Sequence, residues 1–193
     1  RGKEHTFVYL PDWVKESKCM DREEALAKLA KRFFFSRGPA TVHDFAWWSG
    51  LSLADCKASL EMIKSQLASE TFEGETFWMP QNIPELKSNA KGFVFLLPGF
   101  DEYILGYKDR TIVVDPKYIN RIATNNGLFA ATIVINGMVE GTWKRTFDKK
   151  DLAIELNTFK KLNKEARENI TKESYKYGKF IGFLPENIKM VWL

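Results

Sequence analysis

Two clusters of charge interrupt an apolar stretch at residues 96–110, LLPGFDEYILGYKDR. Asp101 and Glu102 form the first; Lys108, Asp109 and Arg110 form the second. Paired carboxylates are the machinery of acid/base hydrolysis when their environments drive the two pKa values apart. On an extended strand, however, adjacent residues point to opposite faces, so Asp101 and Glu102 need a distant partner to form such a pair. Two readings remain. Either Asp101, Glu102 and Asp109 are a structural charged knot that accepts backbone or Arg hydrogen bonds where the strand bends at Pro98-Gly99, or the knot takes part in binding nucleic acid.

The cations suit a simpler chemistry. Contact with phosphate requires only donors and positive charge, which makes Lys108, Arg110, Lys144 and Arg145 candidates for a nucleic-acid backbone. Lys57 and Lys64, near Asp55 and Glu61 in an earlier segment, are candidates of lower net charge. The plain alternatives are pairing of Arg110 with Asp101 or Asp109 and solvation of Lys144. Trp47, Trp48 and Trp143 could stack bases, yet aromatics at helical or strand spacing belong to cores. His43 beside Asp44 suggests a general base, but no nucleophile motif accompanies it, and a capped or half-exposed histidine is the alternative.

Redox and metal chemistry have little to stand on. Cys19 and Cys56 lack a CxxC spacing, which suits two free thiols and a cytoplasmic location. Together with His5 and His43 they form a scattered set without ligand spacing, so neither a metal nor a cofactor is expected.

These residues need a scaffold, and the composition supports one. With 45% hydrophobic and 28% charged residues over 193 positions, the chain is long enough for a sizeable core. No apolar run approaches the roughly 18 residues of a membrane helix. Charge is uneven: residues 1–90 hold 12 basic against 13 acidic residues and residues 91–193 hold 17 against 12, giving the net +4. A mildly basic second half permits phosphate contact without demanding it. The chain starts at Arg1 without the apolar core of a secretory signal, and it reads as part of something longer.

Periodicity divides the chain in two. After an extended start over residues 6–10 and a Pro11-Asp12 turn, Asp21 and Glu24 form a capping pair ahead of a helix that ends at Gly38-Pro39. A short helix spans Thr41 to Ser49 and stops at Gly50; Ser52 and Asp55 cap a third. Glu73-Gly74 joins two β-prone runs. Three helices and a hairpin make a winged helix-turn-helix over residues 1–80. Residues 81–92 are Pro-, Asn- and Ser-bearing linker. In the second half, residues 93–193, strands are expected at 93–97, 104–107, 111–114 and 152–159, with an Asn136-Gly137 hairpin between two more and a last strand in IKMVWL. Asn163 caps an amphipathic helix. The fold class is therefore α+β, a winged helix followed by a small β-barrel or curved sheet with a packed helix.

Three stretches in this order, RGPATVHDFAWWSGL, LLPGFDEYILGYKDR and NGLFAATIVINGMVEGTWKR, resemble the AlkZ/YcaQ-like family of bacterial DNA glycosylases, which unhook or excise alkylated purines. The resemblance runs from Arg1 to Phe147 and on toward the C-terminus. It implies tandem winged helices and a C-terminal β-barrel shaped around duplex DNA, with this chain as the middle and C-terminal part. The family's catalytic signature is a Gln, an aliphatic residue and then Gln or Asp. Here the two glutamines stand in Gln66-Leu67-Ala68 and Gln81-Asn82-Ile83, and neither fits. The resemblance thus implies a duplex-binding, non-catalytic portion of a DNA repair protein. A winged-helix regulator or protein-interaction module is the alternative.

Overall fold

The computed structural model describes residues 6–14, 20–83, 92–124, 126–148 and 150–193. Most of the expected linker, with His5 and Cys19, lies outside them. The element at the start is α1 (Leu10–Trp13), a single helical turn where an extended run and turn were expected. Pro11 explains the difference, since its fixed φ suits the first turn of a helix as well as it suits a loop.

The first large unit is built by capping. Asp21 accepts from the Glu24 backbone N–H and opens α2 (Arg22–Arg37). Thr41 and Asp44 form a reciprocal capping box at the start of α3 (Val42–Ser49), and Gly50, at φ 71°, ends it in the left-handed region. Ser52 caps α4 (Leu53–Ile63). Strands β1 (Leu67–Phe72) and β2 (Glu75–Pro80) then pair antiparallel around Glu73-Gly74. Both turn residues have positive φ, 49° and 83°, as a twist-matched hairpin turn requires.

The faces of these helices meet in one cluster. Phe33, Phe34 and Phe45 are fully buried, with ring centroids 5.0–5.6 Å apart, and Cys56, Leu60, Ile63 and Leu67 close around them. Such aromatic pairs contribute about 0.5–1.5 kcal/mol each beyond their area burial.

The second half is a sheet ordered β3-β4-β5-β6-β7. Its strands are β3 (Val94–Leu97), β4 (Thr132–Ile135), β5 (Met138–Asp148), β6 (Asp151–Thr158) and β7 (Ile188–Trp192). The first four form an antiparallel meander, with Asn136-Gly137 as the turn between β4 and β5. Helix α7 (Lys164–Phe180), capped by Asn163, then carries the chain across so that β7 pairs parallel to β6. That crossover leaves β3 and β7 as separate edges. The sheet is open where a barrel was one of the two expectations, and edges of four and five residues are short enough to present little template for pairing.

Two further expected strands are absent. Residues 104–107 and 111–114 form instead a helical turn, α5 (Glu102–Leu105), and hydrogen-bonded turns. Asp101 is the cause: its carboxylate accepts from the Tyr103 N–H, and its carbonyl from Ile104 and Leu105. Val113 and Val114 likewise donate to the Arg110 carbonyl. Backbone groups consumed locally have nothing left for a ladder, whatever the β-propensity of the side chains. A second piece, α6 (Ile119–Ile122), follows a 3-10 turn at Pro116–Tyr118.

The sheet is covered on both faces. Trp143, Leu152, Ile154 and Leu156 pack under α7 around Ile170, whereas Ile104, Val114 and Ile122 from residues 102–122 pack with Val134 and Val139 on the other side. A register shift between Ile133 and Val134, opposite Gly141 and Val139, lets β5 serve both cores. Gly141 sits at this shift with no room for a side chain, since a Cβ there would lie 2.5 Å from the Asn157 carbonyl oxygen. Gly141→Ala should lower the unfolding free energy by about 1–3 kcal/mol through overpacking, read as a fall in the denaturant midpoint; an unchanged midpoint would show that β6 yields freely.

Candidate nucleic-acid interface

The segment with the two charge clusters joins the two halves. Its apolar residues, Ile104 and Val114, belong to the sheet side, while Tyr107 packs against the helical core. Several of its polar groups are directed at the helices. The Asp44 carboxylate is 4% exposed; one oxygen accepts from the Thr41 N–H and hydroxyl, both at 2.8 Å, and the other from the Lys108 N–H at 2.9 Å. Glu102 accepts from Arg37 at 3.0 Å and from the Trp48 indole at 3.1 Å. The Tyr107 hydroxyl donates to the Arg37 carbonyl, and the Trp47 indole to the Leu105 carbonyl. Asp44 thus caps α3 and holds the second half through one carboxylate.

Each charge in the segment has a distinct place. Asp101 caps α5, and Glu102 lies at its first residue, so the opposite-face argument for a strand no longer applies. Asp109 accepts from the Thr111 N–H and hydroxyl, which hold its carboxyl below the usual aspartate range. The Arg110 guanidinium donates to the Ile104 carbonyl and lies 5.6 Å from the Trp47 ring centroid and 5.1 Å from that of Phe129. Burial pushes its pKa down, and its Nη2 is buried without a hydrogen-bond partner among the described residues. The Arg110 pairing considered with Asp101 or Asp109 is replaced by this carbonyl and aromatic seat. Lys108 is anchored by its backbone alone and leaves its ammonium exposed.

The remaining candidates are dispersed. Arg145 alternates with Trp143 toward α7, where it donates to the Tyr177 hydroxyl and stacks near Phe147. Its neighbour Lys144 therefore points to the opposite sheet face, the side that carries residues 102–122, with Glu155 as its cross-strand neighbour. On α4, Lys64 pairs with Glu61 and Asp55 with Arg22, so Lys57 is left exposed without an ion pair among the described residues. Trp143 is core; Trp48 packs partly against the helical core; Trp47 is 51% exposed. Cys56 is a buried thiol whose pKa burial raises. The Gln81 side chain donates to the Ser65 carbonyl.

Sequence reasoning missed a cleft of about 580 Å³ where this segment meets the N-terminal end of α3 and strand β2. Its walls include Phe77, Tyr103 and Tyr107, and its polar lining includes His43, Lys108 and Arg110. Nothing local signals it, because its parts come from three separate stretches. The spacing between His43-Asp44 and Lys108-Asp109-Arg110 is informative only once the Asp44–Lys108 hydrogen bond is known.

The chain is thus α+β, with a capped helical unit latched to an open sheet and cations beside the junction. A family model described as DNA glycosylase AlkZ-like matches residues 1–180, and the chain belongs to that family. Among solved structures it is similar to Streptomyces sahachiroi DNA glycosylase AlkZ, with a TM-score of 0.73 and 19% identity. That match covers 92% of this chain and 48% of the other, so this chain spans about half the length of that solved relative. At this identity the likeness is one of fold. No curated protein significantly matches the chain, and among the described residues no helix is long and apolar enough to cross a membrane.

The latch is open to a stability test. Asp44→Ala leaves the Thr41 and Lys108 N–H groups unpaired and should cost about 1–3 kcal/mol; Glu102→Ala, which removes a partly exposed pair, should cost no more than about 1 kcal/mol. Equal losses in chemical denaturation would refute this ranking. Asp109, with its pKa lowered on folding, adds stability that is present at neutral pH and lost as the pH falls through its folded value. Asp109→Ala should therefore lose less stability than the parent between about pH 5 and about pH 3, as followed by thermal melts.

Proposed function

We propose that this chain is a duplex DNA-binding, non-catalytic portion of an alkylpurine DNA glycosylase-like repair protein. The observation that carries the reading is the family match over nearly the whole chain. In this reading, residues 1–80 hold a winged helix made of α2, α3, α4 and the β1–β2 hairpin, residues 81–92 are a linker, and residues 93–193 are a sheet domain. The Gln-aliphatic-Gln/Asp signature is absent from the sequence, so base excision belongs elsewhere in a complete protein.

The candidates for phosphate contact are Lys57, Lys64, Lys108, Arg110, Lys144 and Arg145. They divide by how free their charge is. Lys57, Lys108 and Lys144 form no ion pair among the described residues and are the principal donors in this reading. Arg110 and Arg145 sit on aromatic rings and contribute field more than direct contact. Lys108 and Lys144 lie toward the same side of the sheet, which favours a backbone track there over one along α7.

A second reading has its own support. The charges of α4 are balanced and mostly paired, which suits a helix that positions its neighbours or meets a protein better than one that reads a groove. Fluorescence anisotropy with a short duplex separates the two. If Lys57, Lys108 and Lys144 each neutralise one phosphate, affinity should fall roughly 40-fold between 50 and 200 mM salt. Lys108→Glu/Lys144→Glu should abolish most binding, whereas Lys144→Glu should act more strongly than Arg145→Glu. Salt-independent or undetectable binding rejects the DNA reading; no effect of Lys57→Glu/Lys64→Glu assigns the helical half to protein contact or packing.

A further inference from the structure

We infer that the cleft between α3, β2 and residues 103–113 holds one unpaired nucleotide, with its base against the aromatic walls and its phosphate at the Lys108 rim. The inference rests on the DNA-binding reading for the source of that nucleotide, but the cleft chemistry stands apart from it.

Size and lining both select this class of ligand. A volume of about 580 Å³ lies in the range of small-molecule pockets, about 300–1,000 Å³. The tyrosine hydroxyls are already engaged, Tyr103 with the Gly137 carbonyl at 2.6 Å and Tyr107 with the Arg37 carbonyl at 2.8 Å. What these two residues offer a ligand is ring surface, joined by Phe77 from the hairpin. Base stacking on such surface is worth about 1–3 kcal/mol per base and tolerates any base identity.

Charge distinguishes the two ends of such a ligand. Two of the lining carboxylates are turned to their own donors: Asp44 takes three hydrogen bonds and Asp109 two. Glu75, on the hairpin, makes no ion pair among the described residues and is an acceptor for base amino groups. Opposite in sign are Lys108 and Arg110, neither of which has an ion-pair partner among the described residues. The helix end itself adds little, because the α3 capping box uses the Thr41 and Asp44 N–H groups. An anion is therefore held by side chains, and a free phosphate without a base would gain nothing from the walls.

A continuous duplex is far wider than a cleft of about 580 Å³ can hold, so the source is either a nucleotide displaced from a strand or a free one. The test compares anisotropy of the full chain with a fully paired duplex and with the same duplex carrying one unpaired nucleotide, and adds saturation-transfer NMR with deoxyadenosine monophosphate. Ile112, a 51% exposed lining residue, is replaced to fill the cleft without opening the core. The expected result is at least 5-fold tighter binding of the interrupted duplex, with the preference lost in Ile112→Trp while paired-duplex affinity is kept. Lys108→Ala should also weaken the preference. Equal affinity for the two duplexes together with no transfer to free nucleotide overturns the inference, as does a preference that survives Ile112→Trp. Transfer to the free nucleotide that Ile112→Trp abolishes, without binding of either duplex, upholds the cleft and rejects the duplex reading.

Discussion

The Asp44 carboxylate is the constraint on which the two halves depend. A carboxylate that is 4% exposed is tolerable only when its lone pairs are filled, and here one oxygen completes the cap of α3 while the other receives the Lys108 N–H. The first role is local and the second is long-range. Because a single rigid group does both, the start of α3 and the 101–110 segment are placed relative to each other with little freedom. Around this centre, Arg37, Trp48, Glu102 and Tyr107 add contacts that are more exposed and individually weaker.

The same latch determines which charges remain for a ligand. Hydrogen bonding consumes the carboxylates of Asp44 and Asp109, and Glu102 is spent on Arg37 and Trp48. Lys108 contributes only its backbone to the structure, so its side chain stays available. Arg110 is the reverse case, a guanidinium held against Trp47 and Phe129 with its charge embedded beside the cleft. A segment nearly balanced in formal charge thereby presents an outward cation. Burial of donors and acceptors, more than net charge, sets the local sign.

Much of the fold was legible because it is specified by neighbours along the chain. The caps at Asp21, Ser52 and Asn163, and the turns at Glu73-Gly74 and Asn136-Gly137, each act within four residues and were located from sequence. The failures at residues 104–107 and 111–114 share one origin. β-prone side chains there suggested strands, but Asp101 and Arg110 supply local backbone partners that make helical turns and hydrogen-bonded loops. The barrel expectation overlooked the other way of managing edges: a parallel crossover through α7 leaves them short and separate. At the candidate site, residue types were legible and their assembly was not, since Lys144 and Arg145 are adjacent in sequence but face opposite sides of the sheet.

By itself the sequence determined the four longer helices α2, α3, α4 and α7, the two hairpins and the family to which the chain is similar. These follow from capping, periodicity and turn chemistry, which act over a few residues. Tertiary structure alone decided that residues 96–110 are a latch, that the sheet is open, and that three distant stretches enclose a cleft. Those outcomes depend on hydrogen bonds such as Asp44 to Lys108, across 64 positions of the chain, and on the register shift that turns β5 toward two cores. Neither leaves a periodic trace, because each is chosen by which polar groups must be satisfied once the apolar faces have met.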